Sequence, residues 1–90
     1  MLFHISYTIE VEHRDAAQAR FQETGAPPPD GVTMLGRWHG ISGRCGYALA
    51  ESSELEPVCQ WLQAWTDLLT FEIEPVLNDE QFSSVIDSAG

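Results

Sequence analysis

Arg37 and His39, two residues apart in Gly36-Arg37-Trp38-His39-Gly40, bring a guanidinium and an imidazole to one side of a strand, because side chains alternate faces along extended chain. A fixed cation beside a group that titrates near neutrality can bind a carboxylate or an enolate and move a proton. Trp38 takes the opposite side, where an indole either packs or stacks on a ligand. A plainer role is open to the same pair: an arginine salt-bridged to a nearby glutamate and a histidine hydrogen-bonded at a subunit seam. His4 stands on the polar side of the N-terminal segment, from which it could approach His39 across a sheet. Asp67 could end a helical turn or offer its carboxylate to Arg37, and Trp65 would wall a cleft between sheet and helices. The catalytic candidates are thus Arg37 and His39, and the ligand-binding candidates are His4, Trp38, Trp65 and Asp67. No three histidines or carboxylates occur at metal-ligand spacing, and nothing matches a nucleophile elbow or a phosphate-cradling glycine loop, so neither a metal nor a cofactor is expected.

These side chains need a scaffold, and the hydropathy pattern describes one. Residues 2 to 11 alternate, with Phe3, Ile5, Tyr7, Ile9 and Val11 on one face and His4, Ser6, Thr8 and Glu10 on the other, which predicts a half-buried strand. Arg14 to Thr24 reads as a short helix with Ala17 and Phe21 on its core side and Gly25 as its stop. Pro27, Pro28 and Pro29 then forbid further helix. Residues 32 to 41 and 44 to 51 make a hairpin about Ser42-Gly43. Ser53 to Glu56 has the form of a capping box, after which Leu55, Val58, Cys59, Leu62 and Trp65 form a helical apolar stripe. Leu69, Phe71 and Ile73 alternate with Thr70, Glu72 and Glu74 in a fourth strand, and a polar tail from Asn78 carries a loose helical pattern through Phe82, Val85 and Ile86. The order β-α-β-β-α-β predicts an α+β fold of ferredoxin-like type: a four-stranded antiparallel sheet with two helices on one face, built from residues 1 to 77, with 78 to 90 as a C-terminal tail.

One sheet face is then left bare. The expectation is that Gly46, Ala48 and Ala50 line this outer face and admit a second sheet, giving a homodimer that enlarges a small core. The chain has 90 residues and a formal charge of -10, with four arginines and no lysine, so nucleic acid and anionic membranes are disfavoured as partners. Cys45 and Cys59 lie in patterned apolar segments and read as buried reduced thiols. The first residues lack a signal-peptide pattern and no run approaches membrane-spanning length, which predicts a cytoplasmic protein.

Met1-Leu2-Phe3-His4, Arg14-Asp15-Ala16-Ala17, Thr24-Gly25-Ala26-Pro27-Pro28-Pro29, Met34-Leu35-Gly36-Arg37-Trp38-His39 and Trp65-Thr66-Asp67-Leu68-Leu69 occur in that order, and through them the chain resembles domain of unknown function family 3303 over nearly its whole length. That family is similar to the dimeric α+β barrel proteins, so the resemblance implies two ferredoxin-like protomers packed sheet to sheet. It brings no assigned activity. The wider superfamily includes cofactor-free monooxygenases, isomerases and haem-binding enzymes, whose catalytic residues match no motif here position by position. The functional expectation is a homodimer that binds a small organic molecule near Arg37, Trp38, His39 and Trp65, with acid/base or oxygenase-type chemistry as its reactive form. The alternative is a non-catalytic structural or protein-interaction module in which the Arg-Trp-His motif serves fold and dimerisation.

Overall fold

The computed structural model describes residues 1–89. Strand β1 (Leu2–Ile9) runs through a single 3-10 turn (Val11–His13) into helix α1 (Arg14–Thr24); β2 (Val32–His39) and β3 (Cys45–Ser52) form the hairpin; α2 (Leu55–Gln63), β4 (Leu69–Val76) and α3 (Asp79–Ala89) follow. The strands are antiparallel in the order β2-β3-β1-β4, so β2 is an edge strand and β1 and β3 are central. This is the ferredoxin-like arrangement expected from the sequence, with a third helix added. Alternation does the work: Phe3, Ile5 and Ile9 are buried while His4 and Thr8 are exposed. Both ends of the β1–β3 pair are closed by the chain itself. The Met1 ammonium and the Ser52 amide bond across one end, and Arg44 Nε donates to the Ile9 carbonyl at the other.

Register settles which face is which. Phe3 pairs with Ala50, Ile5 with Ala48 and Tyr7 with Gly46, and directly opposed residues share a face. Gly46, Ala48 and Ala50 are buried and lie on the helix side, not on the outer face where the sequence placed them. Their partners on β1 are the apolar residues that the helices cover, so the period-two reading held within β1 and β3 but was set one residue out between them, and in β2 a register shift between Met34 and Gly36 breaks the alternation. The outer face instead carries His4, Ser6, Cys45, Tyr47, Glu72 and Glu74. The small-residue stripe therefore supplies no argument for a second sheet.

Phe3, Ile5, Val32, Ala50 and Val58 form the core cluster, with Trp61, Leu62, Phe71 and Ile73 packed against it. On α2 the inward residues are Val58, Trp61 and Leu62, a spacing that Trp65 continues in the turn that follows, while Leu55 and Cys59 face solvent. Both cysteines are free and exposed, contrary to the buried thiols expected: Cys59 lies one residue off the α2 stripe and Cys45 opens β3 on the outer face. The capping box is also displaced. Glu54 occupies the N-cap of α2 without a side-chain cap, and its amide donates to Ser52 Oγ at 3.3 Å. A reciprocal box forms instead at α3, where the Gln81 amide donates to Asn78 Oδ1 (2.8 Å) and the Asn78 amide donates to Gln81 Oε1 (3.0 Å). Residues 79–88 of α3 are all exposed, including Phe82, Val85 and Ile86.

Val58 is fully buried at the centre of the cluster. Val58→Ala removes two methyl groups and leaves part of the space unfilled, so it should lower unfolding stability by about 2 kcal/mol. Cys59→Ala, next door but exposed, should stay within about 0.5 kcal/mol of the parent. Urea denaturation of the two variants checks the assignment of the α2 face.

Candidate functional site

Tyr7 and His39 stand on β1 and β2, which are not neighbours; β3 runs between them. Gly46 of β3 is paired with both, with Tyr7 on one side and His39 on the other. Having no side chain, Gly46 lets the phenol ring lie across the central strand, and a Cβ there would collide with Tyr7 Cε2 and Cζ and with the Trp38 carbonyl. Over this gap Tyr7 Oη reaches His39 Nδ1 at 2.6 Å. Burial pushes the Tyr7 hydroxyl up, aided by nearby Cys45 and opposed by Arg37. Burial, and then the Arg37 charge, pull His39 below the usual histidine value. Both groups are thus neutral at pH 7. A neutral pair holds two protons, the phenolic one and one on the ring, and the mutual hydrogen bond uses only one. Either way one donor and one acceptor remain for a third partner, and the acceptor is the basic Nε2 lone pair when Nδ1 carries the ring proton.

Arg37 shares the helix-side face with His39, as the strand period requires. Its Nη1 donates to Ala26 O (2.8 Å) and its Nη2 to Gly25 O (3.0 Å), and its guanidinium carbon lies 4.9 Å from the centre of the Phe21 ring. The two carbonyls belong to the turn that ends α1. There Gly25 takes the left-handed conformation at φ 72 and Ala26 follows it at φ 43. A left-handed alanine costs about 1–2 kcal/mol, which these hydrogen bonds and that of the Ala26 amide to Thr24 Oγ1 offset. Arg37 therefore fixes the C-terminal end of α1 over the sheet, at the negative pole of the helix dipole. Partial burial without a carboxylate lowers its pKa from the ordinary arginine value.

Above this group a cavity of about 600 Å³ opens between the sheet and the two helices. Its floor includes Ile5 and Ala48, α1 contributes Ala17 and Phe21, and Trp61 and Trp65 come from the α2 side. The small Ala48 on the floor and Ala17 on α1 leave the space unfilled. Phe21 meets His39 edge-on at 5.3 Å between ring centres, so the imidazole stands at the mouth beside an aromatic wall. Behind Trp65, Arg20 and Asp67 form a two-pronged pair, Nη1 to Oδ1 at 2.9 Å and Nη2 to Oδ2 at 2.7 Å. The Arg20 guanidinium also lies 5.2 Å from the Trp65 ring centre, which clamps α1 to the segment after α2.

Of the residues singled out in the sequence, Arg37, His39 and Trp65 line this cavity. Asp67 pairs with Arg20, not with Arg37. His4 and Trp38 stand on the opposite sheet face, where His4 stacks on Tyr47 at 5.8 Å and Tyr47 meets Trp38 at 5.6 Å. His4 and His39 therefore cannot approach each other. Trp38 covers Gly36, where a side chain would strike the indole, so the indole packs on its own strand. Sequence reasoning missed Tyr7, which it counted among the apolar alternation, and Phe21 as a cavity wall. The available signal for Tyr7 was a hydroxyl on an otherwise hydrocarbon strand face. Among the described residues no group of three His, Cys, Asp or Glu could hold a metal ion, and no helix is long and apolar enough to cross a membrane.

The model of the family described as "Domain of unknown function (DUF3303)" matches residues 1–90, and the chain belongs to that family. The structure of Rv0793 from Mycobacterium tuberculosis is similar, with a TM-score of 0.52 at 10% identity over 87% of this chain and 96% of that one, which supports the shared fold. Weaker likenesses, each with a TM-score of 0.47, extend to a Deinococcus radiodurans protein provisionally assigned as an antibiotic biosynthesis monooxygenase (14% identity, 86% of this chain and 92% of that one) and to an uncharacterised NIPSNAP domain protein from Burkholderia xenovorans (10% identity, 88% and 97%). No protein of curated function matches the chain.

Because His39 is held below its usual pKa, the folded chain binds fewer protons than the unfolded one once pH approaches the unfolded value of about 6.5. Stability should therefore fall as pH drops through that value, until the folded histidine is protonated as well. His39→Gln should flatten this part of the profile. Urea unfolding at pH 7.5 and at steps below it, on both proteins, measures the difference; equal slopes would contradict the assignment.

Proposed function

For this DUF3303 protein we propose that the cavity binds a small, largely apolar organic molecule and that Tyr7 and His39 exchange a proton with it. The observation that carries the proposal is the convergence of a neutral phenol–imidazole pair, 2.6 Å apart, on one end of an aromatic-walled cavity. With the ring proton on Nδ1 donated to the phenol oxygen, the free Nε2 lone pair can accept a proton from an acidic O–H or C–H of the bound molecule, and Nε2–H can return it. Arg37 stands close enough to favour the anion formed. An enolate generated here would be electron-rich enough to react with dioxygen, which is the oxygenase form of the proposal.

One observation favours the structural alternative: Arg37 spends its described hydrogen bonds on the Gly25 and Ala26 carbonyls, a role in fold. The two readings separate on ligand binding. N-phenylnaphthylamine, a neutral dye that brightens in apolar sites, should bind with an affinity on the order of micromolar. Ala48→Phe, which fills the floor, should abolish that binding while the far-ultraviolet circular dichroism stays unchanged. Dye binding unaffected by the substitution, or none in the parent, would leave the structural module as the better account.

We also infer that a second copy covers the outer sheet face. The support is the exposed apolar group Leu35, Trp38 and Tyr47, together with the uncovered Phe82, Val85 and Ile86 of α3 on the same chain. Light scattering should give twice the 10.0 kDa chain mass, and Trp38→Glu with Tyr47→Glu should return the monomer; a monomeric parent at micromolar concentration would remove this inference.

A further inference from the structure

The chain as a whole is strongly acidic, yet the cavity is not. Asp15 is the single carboxylate among the residues that line it; its side chain is 93% exposed and lies 3.7 Å from Arg14, so it belongs to the solvent rim. Arg37 is the single cation of the lining. Neutral groups surround it: two backbone carbonyls, the Phe21 face and the Tyr7–His39 pair. Among the described residues no carboxylate lies within salt-bridge distance of it. A partly buried positive charge without a counter-charge is incomplete, because carbonyl dipoles supply less compensation than a full negative charge at the same distance. The remaining proton of the Tyr7–His39 pair is a second donor nearby.

We propose that the ligand of this cavity is a singly charged organic anion, a flat apolar body bearing one carboxylate or enolate oxygen group that meets Arg37. The assignment rests on the reading of the cavity as a binding site and adds the charge and shape of what enters it. The hydrocarbon part lies against Ala48, Trp61 and Phe71, where charge would be poorly solvated. A cationic ligand, which the acidic exterior would attract from a distance, meets the like charge of Arg37 in the cavity and is rejected there. A neutral ligand of the same shape gains the apolar contacts but leaves Arg37 unpaired.

Three probes of one size separate these cases by calorimetry on the full chain: naphthoate, naphthamide and naphthylmethylamine, which are anionic, neutral and cationic at pH 7.5. Naphthoate should bind at least about tenfold more tightly than the amide, the amine most weakly. Arg37→Met should bring the naphthoate-to-amide ratio close to one without weakening the amide, whereas Arg14→Gln should leave the ratio unchanged. Amide binding equal to or tighter than naphthoate overturns the anion assignment and leaves the cavity reading standing; binding of none of the three overturns both. The ratio in the parent protein decides the point even where Arg37→Met does not fold. A preference that survives in a folded Arg37→Met overturns the role given to Arg37.

Discussion

The absence of a side chain at Gly46 is the constraint on which the candidate site depends. Two strands that are not hydrogen-bonded to each other can share a side-chain contact only where the strand between them presents almost nothing. Gly46 is that place, flanked in register by Tyr7 and His39. Because the Trp38 carbonyl also approaches this point, the β2–β3 pairing is drawn in close under the phenol. The same economy of volume continues at Ala48 along β3, so the floor is low beneath the cavity. A residue pattern that suggests sheet-to-sheet packing thus serves to hold open a space on the other side.

Arg37 links that floor to the roof. Its two hydrogen bonds to Gly25 and Ala26 carbonyls hold a turn in which an alanine adopts left-handed backbone, and this fixes where α1 ends. Arg20 and Asp67 tie the same helix to the segment after α2. Exposed ion pairs of this kind contribute little to stability on their own. Their value here is geometric, because α1 has only Ala17 buried and would otherwise be loosely held over the sheet. The cavity exists since the helix is fastened in its C-terminal half by polar contacts more than along its length by packing.

The two faces of the sheet divide the chain's chemistry. The helix side holds the neutral Tyr7–His39 pair and the Arg37 charge; the outer side holds the His4–Tyr47–Trp38 aromatic row and the carboxylates Glu72 and Glu74. Residues adjacent in the Arg-Trp-His segment therefore belong to different surfaces, and a motif that looks like one unit on paper acts as two.

The sequence by itself determined the element order, the strand faces within each segment, the stop of α1 at Gly25 and the sharing of one side by Arg37 and His39. All of these follow from local periodicity or from the conformational range of one residue type. It did not determine the pairing between strands, and a one-residue error there moved Gly46, Ala48 and Ala50 to the wrong face. It also gave Asp67 an open choice that the fold resolved in favour of Arg20, forty-seven residues away. Only the tertiary structure brought Tyr7 to His39, since their contact spans thirty-two residues and passes over a third strand. The physical reason is that alternation repeats every two residues and carries no record of register, whereas register, set by closure of the whole sheet, decides which side chains face one another.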